Sequence, residues 1–186
     1  MNDTFKKIRD QIIEYNSENQ TLFAMQPTVM RLMSVMYYYE KPMTLDDMKE
    51  LLGMSKASMS NAVRELAEIG LVKKVWRKGE RKDVYKVEED NYESFIKYFS
   101  HHWSKRLTPK STSMKKTIDE LMELKDEEDI DKETLLLIEK DLDKLYAGLE
   151  YIDWLSRVVE LFASHEIFDY VPIKEIKREY KKESIN

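Results

Sequence analysis

The chain contains no cysteine, which removes disulfides, thiol redox sensing and any thiolate-ligated metal centre from consideration. Four glycines and four prolines among 186 residues are too few punctuators for a fold built of many strands. No apolar run approaches the roughly 20 residues of a membrane span. The opening stretch, Met1 to Lys7, leads into no apolar signal core, so the expectation is a cytoplasmic protein with no membrane association. Glycine-rich phosphate loops and Gly-x-Ser-x-Gly elbows are missing as well. Of the three histidines, His101 and His102 are adjacent and point about 100° apart on a helix, while His165 stands alone. The carboxylates are numerous but lie in solvated runs, with no partner base to make an acid–base pair. These absences lead us to expect no enzyme, no metal and no cofactor.

What the chain does have is charge, at 36% of residues, and helical periodicity. Its net charge is −5, yet Gly53 to Lys86 holds nine bases against four acids, a local +5 that leaves −10 for the rest. A basic island in an acidic protein suits a polyanion, because each Lys or Arg laid on a phosphate releases condensed counterions. A solvated charged face is the plainer reading of a charge run. The order of local structure around the island favours the first.

Thr44 offers an N-cap hydroxyl, itself a candidate DNA contact, with Asp47 three residues on, and Leu45, Met48, Leu51 and Leu52 give the helix that follows one apolar face. Gly53 supplies a left-handed stop. Ser55 caps a second helix whose apolar positions Met59, Ala62, Val63, Leu66 and Ile69 recur every three or four residues, and Gly70 ends it. Two helices around a short glycine turn form a helix-turn-helix pattern, in which the second helix enters the major groove. Its polar side carries Ser55, Lys56, Ala57, Ser58, Ser60, Asn61 and Arg64, hydroxyls and an amide for base edges and a guanidinium for guanine or phosphate. An ordinary helical hairpin, with small residues permitting close packing, is the competing reading.

The next element argues against that alternative. Leu71 to Trp76 and Asp83 to Val87 favour β structure, and Arg77-Lys78-Gly79-Glu80-Arg81-Lys82 between them places four bases in a six-residue loop where Gly79 can take positive φ. With Lys73, these bases suit backbone phosphates or a minor groove, and the hairpin reads as the wing of a winged helix-turn-helix.

The flanks are helical. Phe5, Ile8, Ile12 and Tyr15 form one stripe, and a second helix starts near Pro27 with Val29, Leu32, Met33 and Met36 inward. After the wing, Asp90 or Asn91 caps a helix bearing Tyr92, Phe95, Ile96, Phe99 and Trp103, which Thr108-Pro109 is expected to end. A separate helix spans about Ser113 to Lys125. From about Asp131 to Ala163, Leu135, Ile138, Leu142, Leu145, Leu149 and Ile152 make a 3-4 seam, continued by Leu155, Val159 and Phe162, that needs a partner helix. Folding back on its own domain is one reading, and a subunit interface is the expected one for a helix this long and remote from the winged domain. Thr117 to Glu150 carries thirteen acids and four bases, which should turn this region away from DNA. A basic tail follows Pro172, with Lys174, Lys177, Arg178, Lys181 and Lys182 against Glu175 and Glu179. The expected organisation is a packing and dimerisation helix over residues 1–21, a DNA-binding domain over 22–108 that includes the aromatic connecting helix, and a helical dimerisation region over 109–186. The fold class is mainly α with a small β-hairpin wing.

Tyr37-Tyr38-Tyr39 spreads three rings around most of a helix, so some must meet a second surface. Together with Tyr98, Phe99 and Trp103 they are candidates for an aromatic cage holding a quaternary ammonium ligand by cation–π attraction. Aromatics at helical spacing also read simply as core.

Winged helix-turn-helix between N- and C-terminal helices resembles the MarR superfamily. Pro42-Met43-Thr44-Leu45-Asp46-Asp47-Met48, Leu52-Gly53-Met54-Ser55-Lys56-Ala57-Ser58-Met59-Ser60, Val63-Arg64-Glu65-Leu66 and the wing from Val72 to Lys82 resemble the GbsR-type repressors within it. The specific part of the match runs from about Leu22 to Thr108. The resemblance implies a homodimeric repressor of osmoprotectant uptake or synthesis genes that binds a double-stranded operator, with choline or glycine betaine as effector in an aromatic box. The alternative is a ligand-independent helical module that binds DNA or docks another protein; a protein-docking module would lack salt-dependent DNA affinity.

Overall fold

The computed structural model describes residues 2–18, 23–79 and 81–177. Glu80 of the wing, the tail residues Arg178, Glu179, Lys181 and Lys182, the expected boundary between residues 21 and 22, and Leu22 at the start of the resemblance lie outside them.

The described chain is mainly helical, with one small antiparallel sheet. Helix α1 (Asp3–Glu18) starts where the Asn2 side chain accepts from the amides of Thr4 and Phe5, and α2 (Pro27–Tyr39) starts on its proline. Strand β1 (Met43–Thr44) leads into α3 (Leu45–Leu52) and α4 (Lys56–Ile69), followed by β2 (Val72–Val75) and β3 (Val84–Val87). The sheet order is β1-β3-β2, with Val75 opposite Val84 and Met43 opposite Tyr85. Strand β1 is too short to show a period of two, and the sequence reading missed it. Leu32, Met36, Met43, Met48, Met59, Leu66 and Leu71 fill the first core beneath these elements. Methionine suits it, since an unbranched side chain fits the irregular gaps between short helices and a small sheet.

The rest is a helical hairpin. Helix α5 (Asn91–Lys125) runs unbroken through Pro109 and packs against α6 (Lys132–Ala163); a short α7 (Ile167–Tyr170) follows. The break expected at Thr108-Pro109, and with it a separate helix from Ser113, is therefore corrected. Pro109 leaves the Lys105 carbonyl without its usual donor, a local cost of about 3 kcal/mol. Burial of Leu107 and Ile118 against Ile138, Leu142, Ile152, Leu155 and Val159 along α6 offsets it. The same packing corrects the expected role of the α6 seam: the chain's own α5 covers the residues assigned to a subunit interface.

Helix α1 departs from expectation in the opposite sense. It turns Ile13 and Ser17 into the molecule, while the stripe Phe5, Ile8, Ile12 and Tyr15 lies exposed. No helix among the described residues is long and apolar enough to cross a membrane.

Candidate nucleic-acid interface

The turn between α3 and α4 is set by three local devices. Thr44 and Asp47 form a complete capping box: the Asp47 amide donates to Thr44 Oγ1 at 3.2 Å, and the Thr44 amide donates to Asp47 Oδ2 at 2.8 Å. These bonds hold the Asp47 carboxyl below its usual range, first through the Thr44 amide; Arg77 adds a smaller coulombic contribution. Gly53 ends α3 at φ 65°, its amide donating to the Lys49 carbonyl at 2.9 Å. Ser55 then caps α4, accepting from the Ser58 amide at 3.1 Å. Thr44 is thus 4% exposed and serves α3 from within, rather than facing outward as a contact residue.

Beyond the turn, the outer side of α4 presents Lys56, Ala57, Asn61 and Arg64 to solvent, with Ser58 and Ser60 half-buried beside them. Arg64 Nη2 donates to Asn61 Oδ1 at 3.1 Å, so amide and guanidinium stand as one unit. Helix α4 is fixed from behind by Met59, Ala62, Val63 and Leu66. This leaves its polar side with no covering element among the described residues.

Beside it projects the β2–β3 hairpin. Lys73, Arg77, Lys78, Arg81 and Lys82 are all exposed, and Gly79 takes φ 83° at the tip. Lys74 Nζ and Asp83 Oδ1 pair at 2.6 Å across its mouth. Trp76, read from the sequence as a strand residue, lies past the end of β2 with 82% of its surface exposed. The ring thus stands in solvent next to Arg77 in the chain and takes no part in the sheet.

One residue that sequence reasoning missed ties these elements together. Asp46, in the first turn of α3, accepts from Lys82 Nζ of the hairpin loop at 2.7 Å and from Lys56 Nζ of α4 at 2.9 Å. The two lysines, Lys82 first, bring its pKa down to about 2. Positions 46 and 82 are too far apart in sequence for any local pattern to reveal the pairing.

The six aromatic candidates do not converge. The Tyr37 hydroxyl accepts from Asn91 Nδ2 and that of Tyr38 from Asn16 Nδ2, both at 3.2 Å. The Tyr39 ring lies 5.3 Å from the Arg9 guanidinium carbon. Tyr98 is buried, its hydroxyl accepting from the Ala24 amide at 2.7 Å and its ring stacked on His102. These four join the first core, whereas Phe99 and Trp103 pack into the α5–α6 hairpin, Phe99 lying 4.6 Å from the Phe162 ring. The triple tyrosine does meet second surfaces, as its spacing requires, but they are α1 and the start of α5.

Next to Tyr98, a cavity of about 440 Å³ between α4 and α5 is lined by Glu65, Glu68, His101, His102, Lys105 and Arg106 among others. Glu68 binds Lys105 at 2.8 Å, which links the back of α4 to α5. Among the described residues no group of three or more histidines and carboxylates is placed to hold a metal ion.

Comparison with known proteins fits this division of the chain. Residues 91–169 match the C-terminal helical hairpin of the GbsR family transcriptional regulators, a span that begins with α5 and ends within α7. The HTH-type transcriptional repressor OpcR of Bacillus subtilis (strain 168) is 39% identical over 170 residues, covering 91% of this chain and 92% of its own length. The HTH-type transcriptional repressor GbsR of the same organism is 31% identical over 169 residues, covering 91% and 93%. Among solved structures, one described as the crystal structure of a transcriptional regulator superposes with a TM-score of 0.59 at 11% identity, covering 89% of this chain and 99% of that one, a likeness of fold alone.

Proposed function

The chain belongs to the GbsR family of transcriptional regulators, and from that premise we infer that it is a DNA-binding repressor, not an enzyme, that reads its operator with α4 and the β2–β3 hairpin. The observation that carries the reading is the outward face formed by Ser55, Lys56, Asn61 and Arg64 on α4 beside Arg77, Lys78, Arg81 and Lys82 on the hairpin loop. In a winged helix-turn-helix, α4 lies in the major groove and the loop reaches the flanking backbone or minor groove. Gel shifts at several salt concentrations test it, with a duplex selected from a random pool. Arg64→Ala should cost about 1 to 3 kcal/mol of operator affinity if the guanidinium reads a base. Replacing Arg77 and Arg81 together should flatten the salt dependence by about 0.9 in slope for each phosphate no longer neutralised. Unchanged affinity and slope in both variants would sink the assignment.

Two finer points belong to the same reading. Operator half-sites are read by two-fold dimers, and a second copy would cover the exposed α1 stripe of Phe5, Ile8, Ile12 and Tyr15. Light scattering of the intact chain and of Ile8→Glu gives the oligomeric state. A quaternary ammonium effector such as choline or glycine betaine, acting on osmoprotectant genes, would engage only part of the six-residue aromatic set. Residues 98 and 99 are neighbours on α5 that face different cores, so a ligand bound at that joint would bias how the hairpin sits on the DNA-reading half. Titrating choline and glycine betaine while following tryptophan emission, with Trp103→Phe and Tyr98→Phe as controls, tests this point.

A further inference from the structure

Asp46 stands where a DNA-reading surface gains nothing from a carboxylate, because a negative charge beside the reading helix repels phosphate. It nevertheless occupies the junction of the two elements that would carry the backbone contacts. Its Oδ1 accepts from Lys56 Nζ, in the first turn of α4, and its Oδ2 from Lys82 Nζ, in the hairpin loop. A singly charged group offering two oxygens to two ammonium groups is what a backbone phosphate would present to the same pair. The pairs are partly exposed, with the Asp46 side chain 33% accessible, and such ion pairs add little to folding stability. Their effect falls on the charge that the surface offers to DNA.

Resting on the DNA-binding reading above, we propose that Asp46 is a specificity-determining residue: an internal phosphate surrogate that withholds Lys56 and Lys82 from random DNA and yields them to the operator. On a random duplex the exchange of Asp46 for phosphate replaces one pairing with another and strands the carboxylate against a polyanion. The net gain is small. On the operator, base contacts from α4 fix the backbone beside both lysines, so a phosphate stands in place and the exchange runs forward. The lysines then contribute to the specific complex and only weakly to the others. Discrimination rises without any added base contact.

The test compares wild type with Asp46→Asn, which keeps the side-chain shape and removes the charge, on a random-sequence duplex and on the duplex selected by the wild-type protein. Circular dichroism and a thermal melt check that the variant is folded; the Thr44–Asp47 box does not involve the altered group. Random-duplex affinity of the variant should rise about tenfold at low salt, with log K against log salt steeper by up to about 1.8 for two phosphates recruited. Operator affinity should change less, so the ratio between the duplexes falls. Adding Lys56→Gln and Lys82→Gln to the variant should abolish the gain. A random-duplex affinity and slope equal to wild type would overturn the proposal, as would equal losses on both duplexes, which would make Asp46 a structural tether only. If the wild-type chain binds neither duplex in a salt-dependent way, the DNA-binding reading falls first and this inference with it.

Discussion

Gly148 on α6 lies so close to Met114 on α5 that a side chain's Cβ at position 148 would collide with Met114 Cε. The contact is with the tip of a flexible side chain, not with backbone, at a point where the two long helices pack together. Gly148→Ala should be tolerated, because the methionine tip can swing away and alanine gains about 1 kcal/mol of helix propensity. Gly148→Leu places more bulk than that swing can clear and should lower stability by about 1 to 3 kcal/mol. Pairing it with Met114→Ala should recover part of the loss, a coupling of about 1 kcal/mol that denaturant melts of the four chains would resolve. Strict additivity would mean that the helices are spaced by something else.

Pro109 sits inside a continuous α5, where Thr108 Oγ1 donates to the Ser104 carbonyl at 3.2 Å and Thr112 Oγ1 to the Thr108 carbonyl at 3.0 Å. Neither hydroxyl serves the Lys105 carbonyl, which the proline deprives of its amide donor. Pro109→Ala restores that donor, and we expect the melting temperature to rise, with a gain of about 1 to 3 kcal/mol. A fall would show that the proline ring itself supports the α5–α6 contact.

These two sites mark where sequence legibility ended. Thr44, Gly53, Ser55 and Gly70 were readable because caps and left-handed stops act within four residues, and the structure places each in that role. Pro109 misled because a strong local rule competes with helix packing along the whole α5–α6 hairpin, which no local window contains. The same holds for the α6 seam: its spacing shows that Ile138 to Val159 need a partner helix, but whether that partner is α5 of the same chain or another subunit is decided by contacts no local window contains. In the candidate interface, the exposed cations and amides of α4 and the loop are legible as a charge island. Asp46 was not, because its role depends on Lys56 and Lys82 meeting it across space.

The buried position of Thr44 separates support from contact. Thr44→Ala removes the cap acceptor and should cost about 1 kcal/mol of stability, whereas Thr44→Ser should keep most of it. Neither should change the salt slope of DNA binding at a temperature where both are folded. A slope reduced by about 0.9 in Thr44→Ala alone would instead place its hydroxyl on a phosphate.

Trp76 is exposed and directly precedes Arg77 of the loop in the chain, so its emission should shift or quench when a duplex is added. Trp76→Phe should remove that response while leaving the signals of Trp103 and Trp154. If the DNA-induced change persists in Trp76→Phe, the hairpin is not the element that approaches the duplex.

His102 provides a pH handle on the joint between the two halves. Its ring stacks on Tyr98 at 5.3 Å, and burial, then the charges of Arg106 and His101, hold its pKa below the ordinary histidine value. In the unfolded chain the imidazole takes up its proton near pH 6.5. Below that value the unfolded state binds more protons than the folded one, so stability falls with falling pH until the folded-state pKa is passed. Above pH 6.5 the histidine's contribution is fully present. Urea melts between pH 8 and pH 5 should therefore show a declining limb below about 6.5 that is shallower in His102→Gln, which is neutral throughout. Equal limbs in the two chains would mean that the ring protonates as freely in the folded protein as in the unfolded one. Its stacking on Tyr98 would then place no restriction on charge at the joint.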